Sequence, residues 1–387
     1  MYCCSGTTFS IHEDFLYDTE RLQRVELINC KISWDSRLLT GLTHLNLEDS
    51  LNANSSIIQF LHALQRMPAL TDLYLKDSIP DNSEGAFTYP VVDLPRLKIL
   101  SISSGVRDVG ALATVLRHIT FPHITVVALT CRENQSTKID FSKFLSVLAK
   151  KFLSSLAIRG LGLRHIIDPQ IHGLDFLLWT TAIVPDGLPP SLYPARSMIQ
   201  LMLTWPSPYP HNYVKALTCA FNAMTLPFVT ELQISNLDYI DSQTWVKIFG
   251  KLPLLEMVSV QSCAPHSFLE ALVYKTKAAE KSKRGYCNVS FPKLRTIHLE
   301  GTDFSATGLS SIPVDMLLDF LMERCERNAE VQVLHLENCY FISSDDVERF
   351  KEIVVDVIWD GIEQKRSEED MSLRYDSDGN IDDLDVW

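Results

Sequence analysis

A six-residue pattern, apolar-x-x-apolar-x-apolar, recurs along almost the whole chain and constrains its fold more than any other feature. Successive side chains of a strand point to opposite faces, so the second and third apolar residues of each unit share one side. A single strand cannot bury that side alone, which predicts that the units stack in register. The eleven units begin, at intervals of 20 to 45 residues, at Leu22, Leu42, Leu70, Leu97, Ile124, Leu153, Met198, Val229, Leu255, Leu294 and Val331.

Prolines support the same register independently in six units. Each proline stands two residues before the first apolar position and follows Met, Leu or Phe. Proline has no N–H to donate and a fixed φ, so it suits the beginning of a strand better than its middle. The six are Pro68, Pro95, Pro122, Pro227, Pro253 and Pro292.

Between the predicted strands the apolar spacing becomes that of amphipathic helices. Ser55 and Asp140 are the predicted caps of the first two helices. The order strand, turn, helix and return predicts an α/β solenoid, or horseshoe, with a parallel β-sheet on the concave face and helices on the convex face. The helical residues are Ile57, Ile58, Leu61 and Leu64, then Phe141, Phe144, Leu145 and Leu148, then Met316, Leu317, Phe320 and Leu321.

The strand motif resembles the leucine-rich-repeat consensus, whose repeats are about 20–29 residues long. Three units carry Cys after the strand, at Cys30, Cys263 and Cys339, in phrases such as LQRVELINC and VQVLHLENC. We interpret these thiols as small apolar residues of the turn that closes each strand, without a reactive or metal-binding role.

The irregular repeats and their apolar-Pro-x-Leu beginnings resemble the repeat region of fungal F-box-like proteins, over about residues 22–360. In that family the F-box docks onto the adaptor of a cullin ubiquitin ligase, and the repeats hold the substrate. The resemblance implies a substrate-recognition role for these repeats. However, 21 residues precede Leu22 and contain no Leu-Pro opening, so the F-box itself is not found. The adaptor is therefore an expected partner only if the full-length protein carries an F-box.

Two functional hypotheses stay open. The chain is either the substrate-recognition part of an F-box-type ubiquitin ligase receptor, or a leucine-rich-repeat scaffold or ligand sensor outside ubiquitin transfer. Both make it a protein-interaction scaffold whose protein partner is unidentified.

Three segments are predicted. Residues 1–21 form an N-terminal segment or cap, and residues 22–360 form the solenoid, with insertions near 161–197 and 263–291. Residues 361–387 form a tail with nine acidic and three basic residues, which we expect to be disordered.

The first insertion is either a loop over an edge of the sheet that contacts a ligand, or a segment that packs on the convex side. The second includes a basic stretch, 275–284, interpreted as a solvated helix end or a nuclear-import signal.

Composition narrows the functional classes. A formal net charge of -13 disfavours nucleic acid as the partner, because phosphate binding needs a basic face. The nine cysteines include no Cys-x-x-Cys pair, and no secretory signal or membrane-length apolar run is present. We expect a monomer in the cytoplasm or nucleus without membrane contact. No catalytic motif is found, so we expect neither an enzyme nor a cofactor.

Register predicts which side chains face outward on the concave surface. Tyr74, Met202 and Gln233 fall in its central row with the two histidines, and Lys76 and Arg159 fall in the next row with the two glutamates. Tyr74 is the first candidate anchor, because a rigid aromatic binds at low entropic cost. The predicted partner-binding residues are Tyr74, Lys76, Arg159, Met202, Gln233, His298, Glu300, His335 and Glu337.

Two His-Leu-Glu triplets occupy equivalent places in the last two units, at 298–300 and 335–337. If their strands are neighbours, the imidazoles lie about one strand spacing apart. Two histidines and two carboxylates could in principle ligate zinc, which would suit a metalloenzyme. The favoured interpretation is a polar recognition surface without metal.

Overall fold

The computed structural model describes residues 9–10, 21–50, 55–80, 88–104, 109–132, 141–167, 172–180, 198–206, 210–237, 240–261, 266–273, 289–305 and 311–363. The chain is an α/β protein with a large, mostly parallel sheet. It divides into two compact units, Met1–Leu232 and Gln233–Trp387.

The first unit alternates strands with helices. Its helices are α1 Ile57–Gln65, α2 Val109–His118, α3 Ser142–Lys151 and α4 Pro210–Ala223, with 3₁₀ turns at Arg37–Leu39 and Leu153–Ser155. Its strands are β1 Phe9–Ser10, β2 Arg24–Ile28, β3 Cys30–Lys31, β4 His44–Glu48, β5 Asp72–Lys76, β6 Val92–Asp93, β7 Ile99–Ser104, β8 Ile119–Thr120, β9 Val126–Arg132, β10 Gly160–Ile167, β11 His172–Trp179 and β12 Ile199–Trp205.

Strand order in the first unit's large sheet is β2-β4-β5-β7-β9-β12-β11-β10. The run from β2 to β12 is parallel, as the repeat pattern predicts. The pairs β12–β11 and β11–β10 are antiparallel, so the expectation of a wholly parallel sheet is wrong at this point. After α3 the chain forms β10 first and returns through β11, and β12 then pairs with β9.

The antiparallel segment corrects two sequence-based predictions. The unit at Leu153 forms no strand, because its first residues make a 3₁₀ turn. Residues 160–167 and 172–179, most of which were assigned to an insertion, are strands of the sheet. Within β10, a Cβ on Gly160 would lie 1.8 Å from the Trp179 ring, so the glycine makes room for that buried indole.

Strand β13, Glu231–Ser235, carries the chain from the first unit into the second. In the second unit β14 to β17 pair in chain order and all in parallel. The remaining elements are α5 Ser242–Phe249, β14 Met257–Gln261, α6 His266–Val273, β15 Thr296–Glu300, α7 Val314–Glu326, β16 Val333–Glu337, α8 Ser344–Lys351 and β17 Asp356–Trp359.

The three predicted helices are confirmed as α1, α3 and α7. For α1 the cap differs by one residue from the prediction. Ser56, not Ser55, accepts from the Gln59 N–H, and the Gln59 side chain accepts from the Ser56 N–H. This reciprocal capping box satisfies two backbone donors that the first helical turn leaves unpaired. Asp140, the predicted cap of α3, lies outside the described residues.

A left-handed residue directly follows each of six strands. Asn and Asp tolerate a positive φ better than other residues with a side chain, and Gly adopts it without penalty. For Asn29, Asp49, Asn236 and Gly301, the N–H donates to the last carbonyl of the neighbouring strand, and for Asp77 it donates to the last but one, that of Ser103. The same turn therefore joins successive strands in both units. The six residues are Asn29, Asp49, Asp77, Asn236, Gly301 and Asn338.

The position after each left-handed residue is buried and small or apolar. Cys339 Sγ contacts the carbonyls of Leu299 and Glu337, as Ser50 Oγ contacts those of Leu27 and Glu48. The interpretation of Cys30 and Cys339 as turn-closing residues is confirmed, and Cys263 lies outside the described residues. The six residues at this position are Cys30, Ser50, Ser78, Leu237, Thr302 and Cys339, each at most 3% exposed.

The prolines stand in or beside a turn that precedes the strand. After Pro68, for example, the Leu70 N–H donates to the Met67 carbonyl, and proline's fixed φ suits such a turn. One predicted apolar position is wrong: Ile124 is 79% exposed. Thr125 is buried instead, and its hydroxyl donates to the Leu97 carbonyl at 2.7 Å.

Arg324 is a fully buried cation in α7 of the second unit. Its guanidinium donates to the carbonyls of Leu272, at the end of α6, and of Ser290 and Phe291, before β15. Burial lowers the pKa of this side chain to about 10. Arg324 therefore connects three consecutive segments through backbone groups.

At the N-terminus, Phe9–Ser10 pairs in parallel with Cys30–Lys31. Within the predicted 263–291 insertion, α6 is described, whereas the basic stretch 275–284 is not. The predicted tail lies outside the described residues from residue 364 onward. Among the described helices, none combines the length and apolar character needed to cross a bilayer.

Candidate binding surfaces

Tyr74 lies on the polar face of the first unit's sheet, opposite the buried face. In β5 the side chains alternate strictly: Leu73 and Leu75 are buried, whereas Tyr74 and Lys76 are exposed. Register aligns Tyr74 with Asn46 on β4 and Ser101 on β7. The tyrosine ring is 37% exposed, which leaves much of its apolar surface available for contact.

Three ion pairs surround Tyr74 and fix the polar side chains of β2, β4 and β5. They join Arg24 to Glu26, His44 to Asp72, and Lys76 to Glu48. Burial raises the pKa of Tyr74; Asp72 raises it further, and Arg24 opposes the shift. Because acidic and basic groups alternate here, this surface lacks the concentrated positive charge that phosphate binding requires.

Small side chains continue the polar face beyond Tyr74. We call Ser101, Ser103, Ala128 and Thr130, on β7 and β9, the small-residue patch; all are half-buried. Register places Met202 beside Thr130, and thus in the row of Lys76 instead of the central row. Gln200 occupies the central row on β12. The predicted apolar residues Leu201 and Leu203 are both buried, but Ile199 and Leu201 are the ones that align with Val127 and Leu129, so the alignment of the units shifts by two residues.

Arg159 lies directly before β10, outside the strands. Its guanidinium carbon is 6.0 Å from the centre of the Phe228 ring, and its carbonyl accepts from the N–H groups of Thr230 and Glu231. Five strand steps separate β5 from β10 in the sheet, or about 24 Å. The structure therefore does not bring Arg159 together with Tyr74.

A buried carboxylate links the three antiparallel strands. Asp175 is fully buried; Arg164 donates to its Oδ2 at 2.7 Å, and Gln200 donates to both oxygens at 3.2 Å. Sequence reasoning missed this group because it predicted no strand at 172–179.

In the second unit the two His-Leu-Glu triplets are in register, as predicted. His298 pairs with His335, and Glu300 pairs with Glu337, on neighbouring parallel strands. We call these four residues the His–Glu ladder. The imidazole rings stack with centroids 4.4 Å apart and an interplanar angle of 19°. His298 Nε2 lies 3.3 Å from Glu337 Oε2.

Strand β14 supplies a second layer of contacts to the ladder. Ser259 Oγ lies 3.1 Å from His298 Nδ1, and Gln261 donates to Glu300 Oε1 at 2.9 Å. Burial, with a smaller contribution from His335, lowers the pKa of His298 to about 4. Burial and then Glu337 raise the pKa of Glu300, against the opposing effect of Gln261.

Two buried atoms of the ladder make no hydrogen bond. Among the described residues, neither His298 Nε2 nor Glu300 Oε2 has a partner of acceptable geometry. The contact from His298 to Glu337 is close enough for an ion pair, but it does not satisfy the angular requirements of a hydrogen bond. A buried polar atom without a partner is costly, so these atoms call for an explanation.

The predicted site residues thus fall into separate groups. Tyr74 and Lys76 lie together, Met202 shares their face across the small-residue patch, and Arg159 lies apart. Gln233 is half-buried on β13, at the start of the second unit. The four residues of the His–Glu ladder form one group within that unit.

Register alone could have identified Ser259, which stands between the anchors Val258 and Val260 as His298 stands between Ile297 and Leu299. No comparable signal identifies the contact of His44 with Asp72 or that of Arg24 with Glu26. His44 and Arg24 are the first residues of their strands, at positions that the repeat pattern does not specify.

Comparison with known proteins adds no family assignment. No protein-family model matches the chain, and the search of curated proteins finds no match.

Proposed function

We propose that this chain is a leucine-rich-repeat solenoid that binds another protein through the polar face of its sheet. The repeated strand, left-handed turn and buried small residue support the solenoid assignment. Each such unit buries one face against its neighbours and leaves the other face for recognition.

The observation that carries the binding proposal is an exposed Tyr74 beside the small-residue patch. Aromatic anchors with a polar rim dominate the energetics of many protein interfaces. Here the three ion pairs provide the rim, and the patch leaves space for a partner side chain or segment. Met202 and Gln200 bound that space on the far side.

The test compares partner recovery by affinity purification and quantitative mass spectrometry. Tyr74→Ala removes the anchor, and Ser101→Arg fills the patch. An anchor contributes about 2 kcal/mol or more, so recovery should fall about thirtyfold or more with Tyr74→Ala. Ile124→Arg is the matched control, because Ile124 is an exposed apolar residue of the same unit. Partners that both Tyr74→Ala and Ser101→Arg retain in full would contradict the proposal.

A narrower version makes the chain the substrate-recognition part of an F-box-type ubiquitin ligase receptor. It depends on the resemblance of the repeats to fungal F-box-like proteins. Recovery of the cullin adaptor with the full-length protein would support it. If substrate-like partners are recovered without the adaptor, the chain is a scaffold or ligand sensor outside ubiquitin transfer.

A further inference from the structure

We propose that His298, His335 and Glu337 bind a divalent transition-metal ion, for which Zn²⁺ is the best chemical fit. One ligand atom from each of these residues lies within 4.8 Å of the other two. The residues belong to β15 and β16, which are adjacent and in register, so the sheet itself brings them together. The inference is independent of the proposed protein-binding surface around Tyr74.

His298 provides the decisive observation. It is 4% exposed, and its Nε2 lies 3.3 Å from Glu337 Oε2 but has no hydrogen-bond partner among the described residues. Burying a nitrogen without a partner costs about 1–3 kcal/mol. A metal ion bound by the Nε2 lone pair would remove that cost.

Ser259 supports the same arrangement from the other side of the ring. Histidines that bind metals almost always donate their second ring N–H to a protein acceptor, which fixes the tautomer. Ser259 Oγ lies 3.1 Å from His298 Nδ1 and is itself buried. With Nδ1 donating to Ser259, Nε2 carries the ring's lone pair and can bind a metal ion.

The donor set selects the class of ion. Two imidazoles and one carboxylate suit Zn²⁺, whereas Ca²⁺ and Mg²⁺ prefer oxygen ligands alone. Tetrahedral ligands at the usual zinc distances lie about 3.4 Å apart. The donor atoms lie within 4.8 Å of one another, so ion binding requires the half-buried side chains of His335 and Glu337 to rotate inward and the two stacked imidazoles to tilt. Three protein ligands leave the fourth position for water or for a group of a bound partner.

The competing explanation is a ladder of polar side chains that binds no metal, which the sequence pattern alone favoured. It requires His298 Nε2 either to remain unpaired or to donate weakly to Glu337. The two explanations differ in a directly measurable quantity, the binding of Zn²⁺ to the purified full chain.

The experiment begins with full-length protein treated with a chelator and then dialysed. Zn²⁺ is titrated by calorimetry, and Co²⁺ is added separately as a spectroscopic probe of tetrahedral coordination. We expect one equivalent of Zn²⁺, competition of Zn²⁺ with Co²⁺, and a higher thermal midpoint with metal, since an ion bound to the native state stabilises it.

Variants then assign the ligands. His335→Gln and Glu337→Gln should each weaken Zn²⁺ binding at least about tenfold, because changes even to groups that support ligands have effects of that size. His44→Gln is the matched control: His44 also contacts a carboxylate from a neighbouring strand, 2.9 Å away, but belongs to the first unit. Absence of Zn²⁺ binding, or equal losses in His44→Gln and the two ligand variants, would overturn the proposal.

Discussion

Arg324 and His298, both in the second unit, combine burial with an ionisable group, and the protein accommodates them differently. Arg324 keeps its charge and donates to three backbone carbonyls, although its Nε has no hydrogen-bond partner among the described residues. His298 has a pKa of about 4, so it is neutral at physiological pH. The burial of each residue leads to a prediction about the stability of the protein.

Replacing Arg324 with Met retains the length of the side chain but removes every donor. The three carbonyls then lose the donors of the guanidinium, and Phe291 O keeps only its bond from the Leu294 N–H, so we expect a loss of about 1–3 kcal/mol in the free energy of unfolding. Urea denaturation would measure this loss. Arg349→Met is the control, because the Arg349–Asp315 ion pair is exposed and its removal should change stability little. Equal effects of the two substitutions would contradict the assigned role of Arg324.

The low pKa of His298 predicts a specific dependence of stability on pH. As pH falls below 6.5, the unfolded chain takes up a proton that the folded chain, with a His298 pKa of about 4, resists. Stability should therefore decrease from about pH 6.5 to about pH 4 and depend no further on this group below that range. The loss is on the order of 3 kcal/mol.

The measurement uses chelator-treated protein and compares the wild type with His298→Gln across this pH range. The difference between the two curves reports the contribution of His298, including its interaction with His335. A difference that does not change with pH would show that His298 has no depressed pKa.

At the scale of elements, most strands could be predicted from sequence, and ten of the eleven units lie in strands. Apolar residues at every second position, beside a turn that contains proline, form a local pattern that can be recognised in the sequence. Strands β10 and β11 could not be found this way. Their burial on both faces, for example at Leu161 to Leu163 and at Leu174 to Phe176, erases the alternation on which the pattern depends.

Gly160 tests how these antiparallel strands pack. Gly160→Ala should cost about 3 kcal/mol, because its Cβ would overlap the buried Trp179 ring. In a Trp179→Ala background the same change should cost less than about 1 kcal/mol, since the conflict is gone. Thermal denaturation of the four proteins of this cycle provides the values. Strictly additive effects would mean that Gly160 is needed for some reason other than Trp179.

The cap of α1 provides a second prediction at this scale. Ser56→Ala should destabilise the protein by about 1 kcal/mol, because it breaks the capping box with Gln59. Ser55→Ala, one residue earlier, should change stability by less than about 0.5 kcal/mol. Chemical denaturation distinguishes them, and a larger effect at Ser55 would favour the cap that sequence alone predicts.

At the scale of the whole molecule, the α/β class and the register of the ladder follow from the repeats, whereas the binding chemistry does not. The burial of His298 and the position of Ser259 depend on how strands from distant segments are brought together. The strand order β9-β12-β11-β10 likewise depends on pairing between segments that are distant in sequence, and no local pattern specifies it. Sequence therefore identified the candidate residues, and the three-dimensional contacts separated them into groups.

A solenoid should respond to damage locally, since each repeat contacts only its neighbours. In hydrogen-exchange mass spectrometry, Arg324→Met should accelerate exchange in peptides of α6, α7 and β15. Peptides of β4 and β5 should remain protected, as in the wild type. Uniform acceleration along the chain would contradict the proposed solenoid and indicate a single cooperative unit.

The left-handed turn after six of the strands also has a consequence for how such sequences diverge. Its backbone admits chiefly Asn, Asp or Gly, and the next side chain must be small or apolar, while the outward positions are comparatively unrestricted. Related chains with this turn can differ at most sequence positions and still retain the short signature. Their common ancestry is then visible mainly at the few positions that the backbone conformation restricts. Overall sequence identity between such chains can become too low to detect.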